Sequence, residues 1–361
     1  MADSRTDLMA GSATNAVPNT DQLDILGAQP LVAETRLARQ VEELTPNDRF
    51  FIRANFNIPL IDPRTWSLAV SGAVRDPQTL TLADLRQLPA RSLAATMECA
   101  GNGRSYLPPP TEGNQFRYGA VSAASWTGTS LSEVLSAAGL SPEVVEIAFT
   151  GYDKGYEKKA GAELHFERSL PLAQALHPDT MLVWEMNGEP LPPEHGGPVR
   201  LLVPGWYGVA SVKWVAEIRA LTEPFAGYFQ TKKYIIPRDD GTITPVQERR
   251  PRSLIAEPVE NAVLTAGSVT LRGLAWAGNQ PVEQVEVSFD GGDTWQVAQL
   301  QPVISAYAWR HWSIDWNAAP GSYVLKSRAT DARGRVQPAA GEWNLLGYCN
   351  NGIQGVPVVV K

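Results

Sequence analysis

The sequence has 361 residues, of which 43% are hydrophobic and 19% are charged, and its formal net charge is −7. This composition is typical of a globular protein, and the length favours two domains because one core seldom organises so long a chain. The acidic balance argues against a nucleic-acid binder or a protein held on an anionic membrane surface. No apolar run approaches the roughly 20 residues that a membrane-spanning helix needs, so we expect no membrane span.

Residues 1–45 lack strong hydrophobic periodicity, and we interpret them as a partly flexible N-terminal arm. They show no basic start followed by an apolar centre, as an export signal would. We therefore expect a cytoplasmic protein from the chain as given, or a periplasmic one if a signal has been removed.

Residues 46–236 are expected to form the catalytic domain, with short helices and strands mixed in an α+β arrangement. A short helix is expected from Thr81, where Asp84 gives capping-box spacing, and another from Ser130, where Glu133 does the same. Alternating or apolar runs predict strands at 66–72, 92–97, 181–186, 199–203 and 212–221.

The composition changes after this half of the chain. Residues 237–256 are charged, contain proline and are weakly apolar, which is typical of a linker. Residues 257–361 are nearly all strand-like and carry a hairpin signal at Asp290-Gly291-Gly292-Asp293. Strands at this spacing predict an immunoglobulin-like β-sandwich.

The segment MECAGNGRS, at 97–105, holds the most informative of the two cysteines, Cys99. Ala100 and Gly101 leave room beside the sulfur, and Arg104 can place positive charge near it. Taken alone, these features favour a buried structural cysteine over a reactive one.

A second segment, EMNGEPLPPEHGGPVRLLVPGWYGVASVKW at 185–214, places His195, Arg200 and Lys213 among glycine- and proline-rich turns. Such turns expose backbone N–H groups, which together with Arg and Lys side chains can hold a phosphate. The pattern therefore predicts an anion-binding cradle.

Together these motifs resemble the sulfite oxidase family. The resemblance rests on Cys99-Ala100-Gly101-Asn102, on the 185–214 series and on Ala308-Trp309-Arg310, and it runs from about Asp48 to about Leu346. The order of a molybdopterin-binding domain followed by a sandwich dimerisation domain is also that of the family. Departures are Arg53-Ala54-Asn55 where the family has Arg-Asn-His, and Phe116 where it has Trp.

The resemblance implies a molybdenum–molybdopterin cofactor with Cys99 as the protein's ligand to the metal, and soft thiolate suits this chemistry. The cofactor contacts that it implies are Arg53, Ala54, Asn55, Cys99, Asp153, His195, Arg200, Ser211, Val212 and Lys213. It also implies a substrate pocket of three arginines, an aromatic wall and one tyrosine, on Arg53, Arg104, Arg310, Phe116 and Tyr234.

The activity implied is oxidation of sulfite to sulfate by a homodimer, with electrons passed to an external acceptor such as a c-type cytochrome. Arginine forks fit the oxygens of a small anion in paired hydrogen bonds. Two alternatives stay open. The same cofactor could act on another substrate such as nitrate or an organic sulfur compound, or the chain could be a non-enzymatic, sandwich-bearing binding protein whose Cys99 is structural.

Overall fold

A computed structural model describes residues 22–237 and 240–361. Most of the regular structure in these residues is β-strand, and the helices are short. None of the helices in this part of the chain is both long and apolar enough to cross a membrane. Residues 1–21 of the predicted arm lie outside the described residues.

The chain enters the described region in a small antiparallel sheet. Its strands, in sheet order, are β1 (Leu23–Ala28), β2 (Leu31–Thr35) and β3 (Ile52–Arg53). Part of the segment predicted as an arm is therefore a paired hairpin. Because β3 ends at Arg53, this sheet fixes the backbone of one predicted site residue.

Two larger sheets form the first half of the molecule. The strands are β4 (Ser67–Gly72), β5 (Gln78–Thr81), β6 (Ala90–Glu98), β7 (Val121–Ser130), β8 (Glu146–Glu157), β9 (Ala162–Pro171), β10 (Met181–Met186), β11 (Glu189–Pro190), β12 (Arg200–Leu202) and β13 (Val215–Leu221). One sheet has the order β11-β10-β7-β6 with β12 beside β10, and the other has the order β5-β4-β13-β8-β9. Each strand predicted from the sequence overlaps a strand of these sheets, but β13 begins at Val215, three residues after the predicted start.

Four short helices connect or follow these strands: α1 (Leu82–Leu85), α2 (Leu131–Ala138), α3 (Leu172–Ala175) and α4 (Tyr228–Thr231). The capping box predicted at the start of α1 is present, since Thr81 and Asp84 bond reciprocally through side chain and backbone. The capping box predicted at the start of α2 is wrong. Ser130 Oγ donates instead to the carbonyl of Pro178 at 2.7 Å, so α2 begins without a side-chain cap.

The region predicted as a linker contains regular structure. A ribbon pairs β14 (Ile235–Pro237) with β15 (Ile243–Pro245), and the next strand, β16 (Arg252–Glu257), already belongs to the sandwich. The charged composition misled the sequence interpretation, because Arg252 is a buried residue with a specific partner and not a solvated one.

Two facing sheets form the sandwich that follows. Its remaining strands are β17 (Ala262–Leu264), β18 (Gly267–Trp276), β19 (Val282–Ser288), β20 (Gln296–Val297), β21 (Gln299–Leu300), β22 (Arg310–Ala318), β23 (Gly321–Asp331) and β24 (Gly355–Val360). The sheet orders are β16-β18-β22-β21 and β17-β24-β23-β19-β20. Leu271, Val285 and Leu325 are fully buried between them, as the alternating pattern predicts.

The chain returns to the first half between β23 and β24. In this returning segment, Cys349 N donates to the carbonyl of Ala100 at 2.8 Å, and Asn350 Nδ2 donates to the carbonyl of Gly103 at 2.7 Å. Tyr348 and Cys349 join the hydrophobic core of the first half. The sandwich half of the sequence thus contributes directly to the surroundings of Cys99.

Candidate active site

Cys99 follows the end of β6 in a tight loop. Its N–H donates to the carbonyl of Ala120 at 2.9 Å, and its sulfur accepts the N–H of Gly101 at 3.4 Å. A Cβ atom at Gly101 would lie 2.8 Å from Arg104 Nη1, so only glycine lets the arginine pack across this loop. The sulfur faces a pocket while the backbone beneath it is fixed.

The electrostatic surroundings of the thiol act in both directions. Burial raises the pKa of Cys99, while the charge of Arg53, the N–H of Gly101 and the charge of Arg104 act to lower it. A metal ion on the sulfur would take the place of the proton and favour the thiolate. Arg53 and Arg104 thus supply positive charge that favours the thiolate, which is the form that binds a metal.

A cleft of about 680 Å³ of empty space opens beside this sulfur. It is lined by residues from β3, β6, β8 and the 194–214 turns, and it contains most of the predicted cofactor contacts: Arg53, Ala54, Asn55, Cys99, Asp153, His195, Arg200, Ser211 and Lys213. Val212 does not line it, because its side chain is fully buried in the hydrophobic core. Only the backbone of Val212, between two lining residues, is near the cleft.

Two buried cations dominate one side of the cleft. Arg200 donates to the carbonyls of His195 and Ser211 at 2.7 and 3.0 Å, and Lys213 Nζ donates to the carbonyl of Glu194 at 3.0 Å. Neither forms an ion pair with a carboxylate of the described residues. Burial lowers the pKa of Arg200 to about 9, and burial followed by the charge of Arg200 lowers that of Lys213 to about 7.

The charge of Asp153 acts on Lys213 from within the cleft, but neither cation has the contacting counter-charge that buried charges ordinarily require. A bound anion would supply it, and a phosphate accepts from both guanidinium and ammonium groups. Gly196, at φ +107°, allows the approach, since a Cβ there would lie 2.9 Å from the Lys213 side chain. The arrangement fits the phosphate of a pterin cofactor.

Asp153 supplies an acceptor in the same cleft. Its Oδ1 is buried and has no hydrogen-bond partner, and burial raises its pKa to about 6. Gly151 makes room for it, because a Cβ there would lie 2.4 Å from Oδ1. A buried acceptor without a donor is costly, so it favours a ligand with N–H groups, as a pterin has.

His195 is held neutral by its surroundings. Its Nε2 lies 3.1 Å from the carbonyl of Asn47, and its ring packs edge-on against Phe50 at 5.2 Å. The Nε2–H group must donate to that carbonyl, which leaves Nδ1 as an acceptor. Burial lowers the pKa of His195 to about 3.

A second pocket meets the first at Cys99 and opens toward Arg53, Arg104, Phe116 and Tyr234. Arg53 Nη2 donates to Tyr234 Oη at 3.1 Å and to Asn55 Oδ1 at 2.9 Å, and Tyr234 Oη donates to the same Asn55 oxygen at 2.9 Å. Burial acts to lower the pKa of Arg53, but the electrostatic interactions with Tyr234 and Cys99 act to raise it. The pKa of Arg53 is raised as a result. This pocket holds four of the five predicted substrate residues.

Arg310 is not among them, and this prediction is wrong for the single chain. Its guanidinium donates to the carbonyls of Gln301 and Val282 at 2.6 to 2.9 Å, and it lines a separate cavity on the sandwich. The residue lies on β22, whose register places it opposite Ala275 within the sheet. The sequence motif matched Arg310 to the family by its position in the chain, but it could not show which way the side chain points.

Sequence reasoning also missed residues that the structure brings to the site. Tyr348 and Leu346 line the second pocket from the returning segment, and Trp214 and Met97 line the first. Tyr348 stood beside Cys349 in an apparently neutral loop, and no sequence signal marked it. Cys349 itself is buried, and burial raises the pKa of its thiol to about 12, so it is an inert thiol. Within the described residues no cluster of three or more His, Cys, Asp or Glu side chains could hold a further metal ion.

Comparisons with known proteins agree with this geometry. A family model described as an oxidoreductase molybdopterin binding domain matches residues 55–229, and one described as a Mo-co oxidoreductase dimerisation domain matches residues 244–360. Mitochondrial sulfite oxidase of Homo sapiens is 36% identical over 342 residues, covering 88% of this chain and 62% of that protein. This chain thus spans less than two thirds of the human relative.

Two further similar proteins match this chain over almost their whole length. Sulfite oxidase of Arabidopsis thaliana is 30% identical over 371 residues, which is 92% of this chain and 93% of that protein. The crystal structure of the sulfane dehydrogenase SoxCD from Paracoccus pantotrophus superimposes with a TM-score of 0.82 at 27% identity, covering 98% of this chain and 92% of that one.

Proposed function

Because this chain belongs to the sulfite oxidase family and carries its molybdopterin-binding domain, we propose that it oxidises sulfite to sulfate. One observation supports this most: a single cysteine sulfur lies where a cleft with two buried cations meets a pocket lined by two arginines, three lysines and three tyrosines. The first side fits an anionic cofactor and the second fits a small anionic substrate.

The residues of the cleft would hold the cofactor. Arg200 and Lys213 would neutralise its phosphate, Asp153 would accept from pterin N–H groups, and Cys99 would bind the metal. When bound, the molybdenum cofactor supplies the oxygen atom and accepts two electrons. Met97, Phe50 and Trp214 form apolar walls that limit water around it.

The residues of the second pocket would bind and orient the substrate. Arg53 already shares hydrogen bonds with Tyr234 and Asn55, so its guanidinium is fixed before an anion arrives. A fixed positive charge also stabilises the extra negative charge that develops as sulfite becomes sulfate. Tyr234 can donate its hydroxyl proton to the anion in place of Asn55. Sulfite and water together give sulfate, two protons and two electrons, and the electrons pass to an external acceptor such as a c-type cytochrome.

We further propose that the protein is a homodimer formed through the sandwich. Val263 and Val359 lie opposite each other on β17 and β24, and both are exposed, at 62% and 39%. An exposed apolar patch on one sheet favours a second copy of the chain as its partner. Light scattering on the purified protein tests this, and a monomer at micromolar concentration would contradict it.

The test of the activity is sulfite-dependent reduction of ferricyanide or cytochrome c by protein made in a host that produces molybdopterin. We expect about one molybdenum atom per chain, and no turnover in Cys99→Ser. Cys349→Ser is the matched control and should retain activity, because that thiol lies outside both pockets. Full activity of Cys99→Ser would refute the metal ligand, and molybdenum without sulfite turnover would refute the substrate.

A second candidate substrate is sulfane sulfur, which the name of the similar SoxCD protein specifies for that protein. Phe116 and Leu346 give the pocket apolar walls, and Arg310 is not in it, so the pocket has two arginines where the sequence predicted three. Thiosulfate, which carries a sulfane sulfur, and nitrate can be compared with sulfite in the same assay. A higher kcat/KM for thiosulfate would favour this candidate.

A further inference from the structure

We infer that Tyr348 is an anion-binding residue of the substrate pocket, with its hydroxyl group donating to the substrate beside Arg53 and Tyr234. This inference rests on the proposed function for the identity of the substrate, but not for the presence of an anion site. Tyr348 comes from the segment between β23 and β24, so the sandwich half of the chain would complete the pocket through a neutral donor.

The backbone of Tyr348 is fixed at the pocket. Its N–H donates to Asn344 Oδ1 at 3.0 Å, and its carbonyl accepts from Asn344 Nδ2 at 2.7 Å. The next residue bonds the carbonyl of Ala100, directly after Cys99. The backbone of Tyr348 therefore cannot move away without breaking the contact between the returning segment and the cysteine loop.

The ring of Tyr348 packs between two pocket residues. It stacks on the Tyr234 ring, with centroids 5.1 Å apart and planes inclined by 22°, and Arg104 Cζ lies 5.1 Å from its centroid. Only 6% of the residue is exposed. Stacking with one ring and contact with a cation restrict the direction in which the hydroxyl points.

The hydroxyl is left available for a ligand. No described residue forms a hydrogen bond with it, although both backbone groups of Tyr348 are paired. The hydroxyl oxygen is not one of the unpartnered side-chain atoms that are shielded from solvent, so part of its surface is exposed. Since Tyr348 lines the pocket that contains Cys99, Arg53 and Tyr234, the hydroxyl reaches solvent there.

The neighbouring cation, Arg104, is engaged by the protein at both terminal nitrogens. Arg104 Nη1 donates to the carbonyl of Asn114 at 2.9 Å, and Nη2 donates to the carbonyl of Leu346 at 3.0 Å. Two of its donor nitrogens are thus occupied by the protein itself. Arg53 and the two stacked phenols provide donors beside the cysteine sulfur. Of the lysines that also line the pocket, Lys159 and Lys233 form ion pairs with Glu112 and Glu157.

The substitution Tyr348→Phe tests the hydroxyl while keeping the stacked ring. A hydrogen bond to an anion typically accounts for about tenfold in affinity. We expect the KM for sulfite to rise by about tenfold with kcat within about twofold of the wild type, and the equilibrium affinity for sulfate, the product, to fall by a similar factor. Tyr323→Phe, which removes a hydroxyl bonded to Ala319 in the sandwich, is the matched control and should change neither.

Calorimetric titration of the cofactor-loaded protein with sulfate separates this inference from the proposed function, because it needs no turnover and the cofactor occupies the other anion site. Weaker sulfate binding in Tyr348→Phe would support the anion site even if sulfite were not the substrate. Equal sulfate affinity in the variant and the wild type would overturn the inference even if the enzyme oxidised sulfite rapidly. A large fall in kcat with unchanged KM would also overturn it, since it would indicate a role in the chemical step and not in binding.

Discussion

Glu98 Oε1 accepts a hydrogen bond from Arg252 Nη1 at 3.1 Å, and both side chains are almost completely buried. The pair joins the residue before Cys99 to the first strand of the sandwich. Trp276 Nε1 donates to the other carboxylate oxygen at 2.8 Å, and Arg252 also donates to the carbonyl of Asn102 at 3.1 Å. The cysteine loop is thereby held from the sandwich side by a buried charged network.

Removing the charge of Glu98 should destabilise the protein strongly. Glu98→Gln leaves the Arg252 guanidinium buried without a counter-charge, which typically costs about 3 to 5 kcal/mol. Urea unfolding measures the loss. Glu163→Gln is the control, because its pair with Lys154 is largely exposed and should matter little. A loss no larger than that of the control would show that the network adapts.

Binding of a phosphate-like anion to the cofactor-free protein should weaken as the pH rises through about 7. Burial lowers the pKa of Lys213 to about 7, from an ordinary value of 10.5, so the folded protein loses this charge near neutrality. Sulfate is a suitable probe since its own charge is constant from pH 6 to 9. In Lys213→Arg the guanidinium stays charged, and the pH dependence should largely disappear between pH 7 and 9, where Asp153, whose pKa is about 6, is already ionised. An unchanged slope in that variant would mean that Lys213 does not face the anion.

Acid should destabilise the cofactor-free protein through His195. Its pKa is about 3 in the folded state and 6.5 ordinarily, so between these values the unfolded chain binds more protons. The free energy of unfolding therefore falls as the pH decreases from about 6.5, by up to about 1.4 kcal/mol per pH unit from this group. His195→Gln keeps a donor for the Asn47 carbonyl and cannot be protonated. Urea titrations between pH 7 and 4 should show a smaller slope for the variant, and parallel slopes would contradict the assignment.

Arg310→Gln should leave the KM for sulfite unchanged and cost about 1 kcal/mol of stability, because its guanidinium bonds only carbonyls of the sandwich. Arg53→Gln, by contrast, should raise the KM at least tenfold. Steady-state kinetics on both variants compares the two arginines. A raised KM for Arg310→Gln would show that the residue reaches a pocket in the assembled protein.

The sequence by itself determined much of the chemistry. The small residues after Cys99 indicated room beside its sulfur, His195, Arg200 and Lys213 among glycine and proline turns predicted an anion cradle, and the family resemblance implied the metal ligand; the structure brings these four residues to one cleft. Local signals also determined the strands and the capped start of α1, because alternation and caps depend on neighbours within a few residues.

The tertiary structure decided what no local pattern can express. Arg310 and Tyr348 both belong to the sandwich half, yet the register of β22 directs Arg310 into the sandwich, and the returning segment places Tyr348 beside Tyr234. The sequence pattern placed Arg252 among the charges of a linker, whereas the structure pairs it with Glu98, 154 positions away. The orientation of each of these side chains depends on contacts between residues far apart in the chain. These contacts stabilise the protein only after its two halves have packed together.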